Sequence, residues 1–273
     1  MNSLLDLPAI AKIGLFLLIW FLAWLPLAIP LAYRLQWHPL QETTPQQKLP
    51  LVASLYLIFP PLLWLLLHSQ NIALADYGIL WNRELAISLL LGLGLGVGGL
   101  ALTFGLETWG GWIEWKTHHW SKALKLSLPL LLLGLWIGWT EELIFRGIFQ
   151  TELQKDYGVG LAAAIASLIF ALLHLSWERK NTFPQLPGLW LMGMILVEAR
   201  ILNSGSLGLA WGLHAAWIWG LASLDAADLL HYPDSSPDWM VGIGKYPLAG
   251  LAGIACLLVT GWLLWQGKQW FYL

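Results

Sequence analysis

Glu141, Glu142 and Arg146 are three ionisable side chains inside an otherwise apolar segment, and residues 126–139 before them carry no charge. Ionisable groups within a membrane span cost at least a few kcal/mol each, so they indicate a functional site. On a helix, Glu142 and Arg146 lie one turn apart on the same face and can pair. Glu141 is rotated by about 100° and points elsewhere. The spacing therefore predicts a structural acid held by Arg146 beside an unpaired Glu141, which is free to act as a general base.

Two histidines interrupt later apolar segments. Phe170 and His174 are four residues apart near the end of one segment, and His214 lies near the middle of another. A single intramembrane histidine is more often a hydrogen-bonded packing residue than a catalyst. Three separate helices that each bury polar groups imply that these groups meet, at a water-filled cavity within the bundle.

Composition defines the class of protein that must position these residues. The 273 residues are 58% hydrophobic and 11% charged, whereas soluble domains are about a quarter charged. We therefore expect an integral membrane protein with the lipid bilayer as its environment. The net charge of −2 and the absence of a basic tract argue against a nucleic-acid partner. The single cysteine, Cys256, excludes an intramolecular disulfide and lies in an apolar run.

Hydropathy predicts an all-α, polytopic membrane helix bundle of about eight transmembrane helices, forming a single domain over residues 1–273. Each helix needs about 20 apolar residues to cross about 30 Å of hydrocarbon. The predicted segments are 13–33, 49–68, 85–106, 126–149, 158–175, 188–203, 206–224 and 247–267. The glycines of the third segment are interpreted as a helix-packing face rather than a nucleotide loop.

Depth in the bilayer adds a constraint on the fourth segment. Glu141 and His174 each lie about 23 Å along an ideal helix from the predicted start of their segments. Antiparallel spans of about 30 Å would then place the two side chains at different depths. For them to meet, the fourth helix must enter the bilayer later or tilt. We therefore expect it to continue past Arg146 to about Lys155.

The ordered motifs resemble the CPBP family, which contains the CAAX prenyl proteases and the bacteriocin-processing enzymes, also called Abi proteins. The family's Glu-Glu-x-x-x-Arg motif appears as Glu141, Glu142 and Arg146, and its Phe-x-x-x-His motif as Phe170 and His174. The later His-x-x-x-Asn motif begins at His214. The resemblance covers about residues 75–224, which we take as the catalytic core.

This resemblance implies an intramembrane endopeptidase that hydrolyses membrane-associated or lipidated proteins through a glutamate-activated water. Glu141 would be the base, His174 its partner and His214 a donor to the oxyanion, with Glu142, Arg146 and Phe170 in support. No cofactor is implied. The compact length and Trp-rich composition are interpreted as bacterial, which would place the protein in the cytoplasmic (inner) membrane.

One position departs from the family pattern. Ile218 stands where the family has asparagine, and it cannot donate a hydrogen bond. Losing one oxyanion donor costs about 100- to 1,000-fold in rate in other enzymes. Three interpretations stay open: His214 suffices, the indole N–H of Trp217 or another donor substitutes, or the protein is a catalytically silent scaffold, chaperone or immunity factor.

Other chemistries are less well supported by the sequence. Glu141, His174 and His214 could together bind zinc, although no His-Glu-x-x-His motif is present. A transporter would be expected to show inverted repeats or paired broken helices, and none are visible. Glu198 and Arg200 form a second intramembrane charged pair. Residues i and i+2 do not face each other on a helix, so each needs a different partner, either across helices or at the cavity.

Overall fold

The computed structural model describes residues 7–38, 41, 44–177 and 179–267, and it is 82% helical. This confirms the all-α prediction. The long helices are α1 (Ala9–Arg34), α2 (Pro45–Gln70), α3 (Arg83–Trp109), α4 (Trp120–Glu142), α6 (Val159–Leu173), α8 (Leu186–Leu202), α9 (Gly208–Ala226) and α11 (Leu251–Gln266). The short elements are α5 (Gln150–Asp156), α7 (Arg179–Thr182), α10 (Asp238–Val241) and an antiparallel ribbon of β1 (Glu114–Trp115) and β2 (Leu230–His231).

Within the described residues, six helical segments are long and apolar enough to cross a membrane. The polytopic helical bundle is thus confirmed, but the predicted count of eight spans is not. The predicted segments 206–224 and 247–267 correspond to α9 and α11, which are not among the six. α11 is only 16 residues long. α9 carries His214 within its apolar run and is buried over most of its first half, so it needs little lipid-compatible surface.

α9 is the central helix of the bundle and packs along both α3 and α4. Glycines allow this close approach. A Cβ on Gly212 of α9 or on Gly92 of α3 would lie 2.0 Å or 2.3 Å, respectively, from a backbone carbonyl oxygen of the other helix. The interpretation of the α3 glycines as a packing face is therefore correct for Gly92. Gly94 and Gly98 have no neighbouring atom within 4 Å of a built Cβ.

The fourth helix continues without a break beyond α4. A seven-residue π-helix, Leu143–Phe149, comes directly after α4 and leads into α5. Together with the preceding turn, these elements form one 40-residue segment, Thr117–Asp156. The prediction that this helix runs past Arg146 to about Lys155 is confirmed. Every residue of the π segment is buried, and π-helical turns within α-helices occur frequently at functional sites.

Candidate active site

The Glu142 and Arg146 side chains form the buried ion pair that the sequence predicted. Arg146 Nη1 lies 2.9 Å from Glu142 Oε1, and the two side chains are 1% and 0% exposed. The pair joins the last residue of α4 to the middle of the π segment. Removing one partner would leave a buried charge without compensation, so each residue requires the other.

Phe170 connects the ion pair to the two histidines. The guanidinium carbon of Arg146 lies 4.5 Å from the centroid of the Phe170 ring, within the range of a cation–π interaction. The same ring meets the imidazole of His174 at 4.6 Å and that of His214 at 5.9 Å, both in edge-to-face geometry. Phe170 is fully buried. It therefore fixes the relative positions of side chains from the π segment, α6 and α9.

His214 is oriented by the second glutamate. Its Nδ1 lies 2.7 Å from Glu142 Oε1, which also accepts from Arg146. Because an ionised carboxylate can only accept hydrogen bonds, Nδ1 of His214 carries the proton. A neutral imidazole then presents the lone pair of Nε2 on its other side. That Nε2 lies 3.6 Å from Oε2 of Glu141.

Glu141 is 8% exposed, and it has a partner that the sequence did not predict. The Tyr56 hydroxyl of α2 donates a hydrogen bond to Glu141 Oε1. The expectation of an unpaired Glu141 is therefore wrong, because α2 packs against α4 and brings a phenol to this carboxylate. The other oxygen, Oε2, faces His214. The signal that could have pointed to Tyr56 is a phenol inside the apolar run of α2.

His174 lies at the end of α6, directly beside Phe170. Its Nδ1 is 2.8 Å from the Phe170 carbonyl oxygen, and because a carbonyl only accepts, Nδ1 must donate. The side chain is partly buried. In the part of the chain that the structure describes, His174 makes no hydrogen bond to Glu141. The imidazole that approaches the Glu141 carboxylate within 4 Å is that of His214.

Ile218 lies one turn after His214 and is partly buried. The alternative donor considered for this position, the Trp217 indole, lines a small cavity of about 40 Å³ together with Phe104 and Leu257. The wall of that cavity contains residues of α3, α8, α9 and α11 but none of α4. The Trp217 ring thus faces a different part of the bundle from the Glu141 carboxylate.

Arg200 supports the site through the backbone. Its side chain donates to the carbonyl oxygen of Arg146 in the π segment, to Thr151 Oγ1 at 3.1 Å and to the Gly205 carbonyl at 3.2 Å. The expectation that Glu198 and Arg200 need different partners is correct for Arg200. Its contacts are to main-chain and hydroxyl oxygens rather than to Glu198, and they tie α8 to the π segment and α5.

A wide cleft is separate from this cluster. It has a volume of about 770 Å³ and lies between α3, the first turns of α4 and the end of α9. Its α4 residues extend as far as Ser127, which is roughly 21 Å along the helix from Glu141. The cleft therefore cannot hold a peptide bond at the Glu141 carboxylate.

Among the described residues, no group of three or more His, Cys, Asp or Glu side chains is arranged to hold a metal ion. Glu142 Oε1 is already shared by Arg146 and His214, and Glu141 Oε1 is bonded to Tyr56. These contacts leave each carboxylate engaged with protein groups.

Comparison with known proteins identifies the segment that builds this cluster. Residues 123–220 match the family model described as Type II CAAX prenyl endopeptidase Rce1-like. The matched span runs from α4 to α9 and contains every site residue predicted from the sequence, namely Glu141, Glu142, Arg146, Phe170, His174 and His214. No curated protein and no solved structure matches the chain. The match supports a membrane protease of the CAAX type, and the segment that carries the site is similar to the Rce1-like branch of the CPBP family.

Proposed function

We propose that this protein is an intramembrane endopeptidase that cleaves membrane-associated or lipidated proteins with a water molecule activated by Glu141. The observation that supports this best is the 3.6 Å separation of Glu141 Oε2 and His214 Nε2. It is too long for a direct hydrogen bond, and a water molecule placed beside the two atoms, rather than between them, would lie within hydrogen-bond distance of both. Both side chains are buried, so such a water would react in a sheltered site.

The proposed reaction uses Glu141 first as a base and then as an acid. Its Oε2 takes a proton from the water as the water oxygen attacks the scissile carbonyl carbon. The resulting tetrahedral intermediate then loses its amine, and Glu141 returns the proton to the departing nitrogen as the C–N bond breaks. His214 and His174 are the imidazoles that would hold the water and the oxyanion. Because each ring donates from Nδ1 to a protein oxygen, its Nε2 accepts from the water when the ring is neutral and donates to the oxyanion only when the ring is protonated. Glu142, Arg146 and Phe170 keep these rings in place.

Glu141→Gln is the variant that tests the proposal, because glutamine preserves the shape of the side chain and an oxygen for the Tyr56 hydroxyl. Wild type, this variant and His174→Ala would be purified in detergent and assayed on membrane and lipidated peptides, with and without a chelator. General-base catalysis contributes about 10²–10⁴-fold, so we expect losses of that order. Glu84→Gln, at the exposed start of α3, serves as the matched control.

The second candidate function is that of a catalytically silent membrane scaffold, and the observation that favours it is Ile218, which lacks a donor. Folded wild-type protein that cleaves none of the peptides, whether or not zinc is added, would support this candidate. Cleavage by wild type but not by Glu141→Gln would reject it.

A further inference from the structure

Tyr56 lies in α2, outside residues 123–220 that match the family model. No motif of the sequence pointed to it, yet its hydroxyl is bonded to the carboxylate of Glu141. A phenol has one O–H to donate, and a carboxylate only accepts. The contact therefore uses the single donor of Tyr56 on Glu141 Oε1.

This contact makes the two oxygens of Glu141 unequal. Oε1 is occupied by Tyr56, whereas Oε2 faces His214 Nε2 at 3.6 Å. The terminal torsion of a glutamate side chain is soft and roughly two-fold. A carboxylate without a fixed partner can therefore exchange its oxygens or turn toward other donors. A donor on one oxygen limits that rotation and keeps the other oxygen aimed at its target.

Tyr56 is itself held from two sides. Its ring stacks on Trp20 of α1 with centroids 6.4 Å apart. The Trp20 indole N–H is bonded at 3.1 Å to the carbonyl of Leu55, the residue before Tyr56. α1 thus braces the part of α2 that carries the phenol. A residue that orients a catalytic side chain is effective when its own conformation is fixed by packing and hydrogen bonds in this way.

We infer that Tyr56 is a positioning residue of the site, whose hydroxyl fixes Glu141 Oε1 so that Oε2 is presented to the reacting water. The catalytic consequence of this inference rests on the proposed function. The contact between Tyr56 and Glu141 is independent of that function. Among the described residues, the charged or titratable side chains that contact Glu141 or interact with its charge include Tyr56, Arg146, His174 and His214.

Tyr56→Phe removes the hydroxyl and keeps the ring on Trp20. Hydrogen bonds to charged groups are among the stronger ones in proteins, and we expect kcat to fall about 10- to 100-fold with KM little changed. A loss confined to kcat separates a positioning role from a purely structural one, which would lower the amount of folded protein instead. Tyr232→Phe, in the loop after α9, is the matched control.

A double variant and an infrared measurement complete the test. Tyr56→Phe in the Glu141→Gln background should cause almost no further loss, since both changes act through one carboxylate. The infrared carboxyl band that Glu141→Gln removes should change frequency in Tyr56→Phe, because the carboxyl group loses its hydrogen bond from the phenol. Unchanged kcat and an unchanged band in Tyr56→Phe would overturn the inference while leaving the protease intact. An inactive wild type whose band changes in Tyr56→Phe would reject the protease and keep the contact.

Discussion

Nδ1 of His214 lies 2.7 Å from Oε1 of Glu142, so the second glutamate of the pair holds the histidine of α9. The first glutamate, Glu141, lies on the opposite side of the same ring, where Oε2 of Glu141 is 3.6 Å from Nε2 of His214. One imidazole thus separates two adjacent carboxylates with different surroundings. Glu142 shares its oxygen with Arg146, whereas Glu141 keeps one oxygen free of a direct hydrogen bond.

His214→Asn and His214→Leu should separate the structural role of this ring from its chemical role. An asparagine amide can still donate to Glu142 near the position of Nδ1, so we expect a melting temperature close to that of wild type. Leucine removes a donor from a buried carboxylate, which should destabilise the fold by about 1–3 kcal/mol. Both variants should lose cleavage by about 100-fold or more. Equal melting temperatures for the two variants would contradict the orienting role of Glu142.

Arg200→Met should loosen the π segment. The carbonyl of Arg146 and the hydroxyl of Thr151 would each lose a donor, at about 1–3 kcal/mol for an unsatisfied buried group. Hydrogen–deuterium exchange should then rise over residues 143–151 more than elsewhere. Arg83→Met, at the exposed start of α3, is the control. Equal exchange in the two variants over this segment would show that Arg200 does not support it.

Gly212→Ala should destabilise the contact between α3 and α9. The added methyl group would lie 2.0 Å from the Leu89 carbonyl oxygen, and overpacking of this kind typically costs about 1–3 kcal/mol. Gly94→Ala meets open space and should be neutral or stabilising, because alanine favours helices by about 1 kcal/mol. Thermal unfolding in one detergent compares the two. A Gly212→Ala variant as stable as Gly94→Ala would rule out the close packing.

The stability of the protein should depend weakly on pH through the Asp228 carboxyl, which lies beside the β1–β2 ribbon. The hydrogen bond from Lys116, 2.7 Å from Asp228 Oδ1, holds the pKa of the Asp228 carboxyl below its ordinary value. The stabilisation is therefore present above the usual aspartate pKa, about 3.9, and is lost as the pH falls through the lower folded-state value.

Asp228→Asn tests this dependence through the difference in melting temperature from wild type. The difference should be small at pH 6, since exposed ion pairs contribute little, and should decrease below about pH 4 and in high salt. Asp234→Asn, an exposed position in the same loop, should show no such trend. A difference that grows as the pH falls would reverse the assigned sign.

The motif residues were predictable because their spacing has a direct geometric meaning. Glu142 and Arg146 lie one helical turn apart and pair as expected. The difference in depth expected for Glu141 and His174 predicted that the fourth helix is longer than its apolar run, and the structure contains this longer helix. The catalytic roles of Glu141, His174 and His214 remain predictions, to be decided by the variants above.

Other features could not be read from the sequence, for physical reasons. Tyr56 and Glu141 are 85 positions apart, and no spacing rule links a phenol in one span to a carboxylate in another. The π segment has an apolar sequence that also suits an α-helix. The count of eight spans is not confirmed, because it assumed that each apolar helix faces lipid, whereas the first half of α9 is mostly enclosed by its neighbours.

The π segment also sets the directions of its own side chains within the fourth helix. Hydrogen bonds from i to i+5 place more residues in each turn than an α-helix does. Because the π segment holds one more residue than an α-helix over about the same rotation, deleting one residue from Leu143–Phe149 would allow α-helical bonding to resume and leave α5 near its present orientation relative to α4. Asp156 would then keep its bond to the backbone N–H of Ala9, while side chains within the segment, Arg146 among them, would turn to new directions. The site is therefore sensitive to the number of residues in this segment, a property that substitutions leave unchanged.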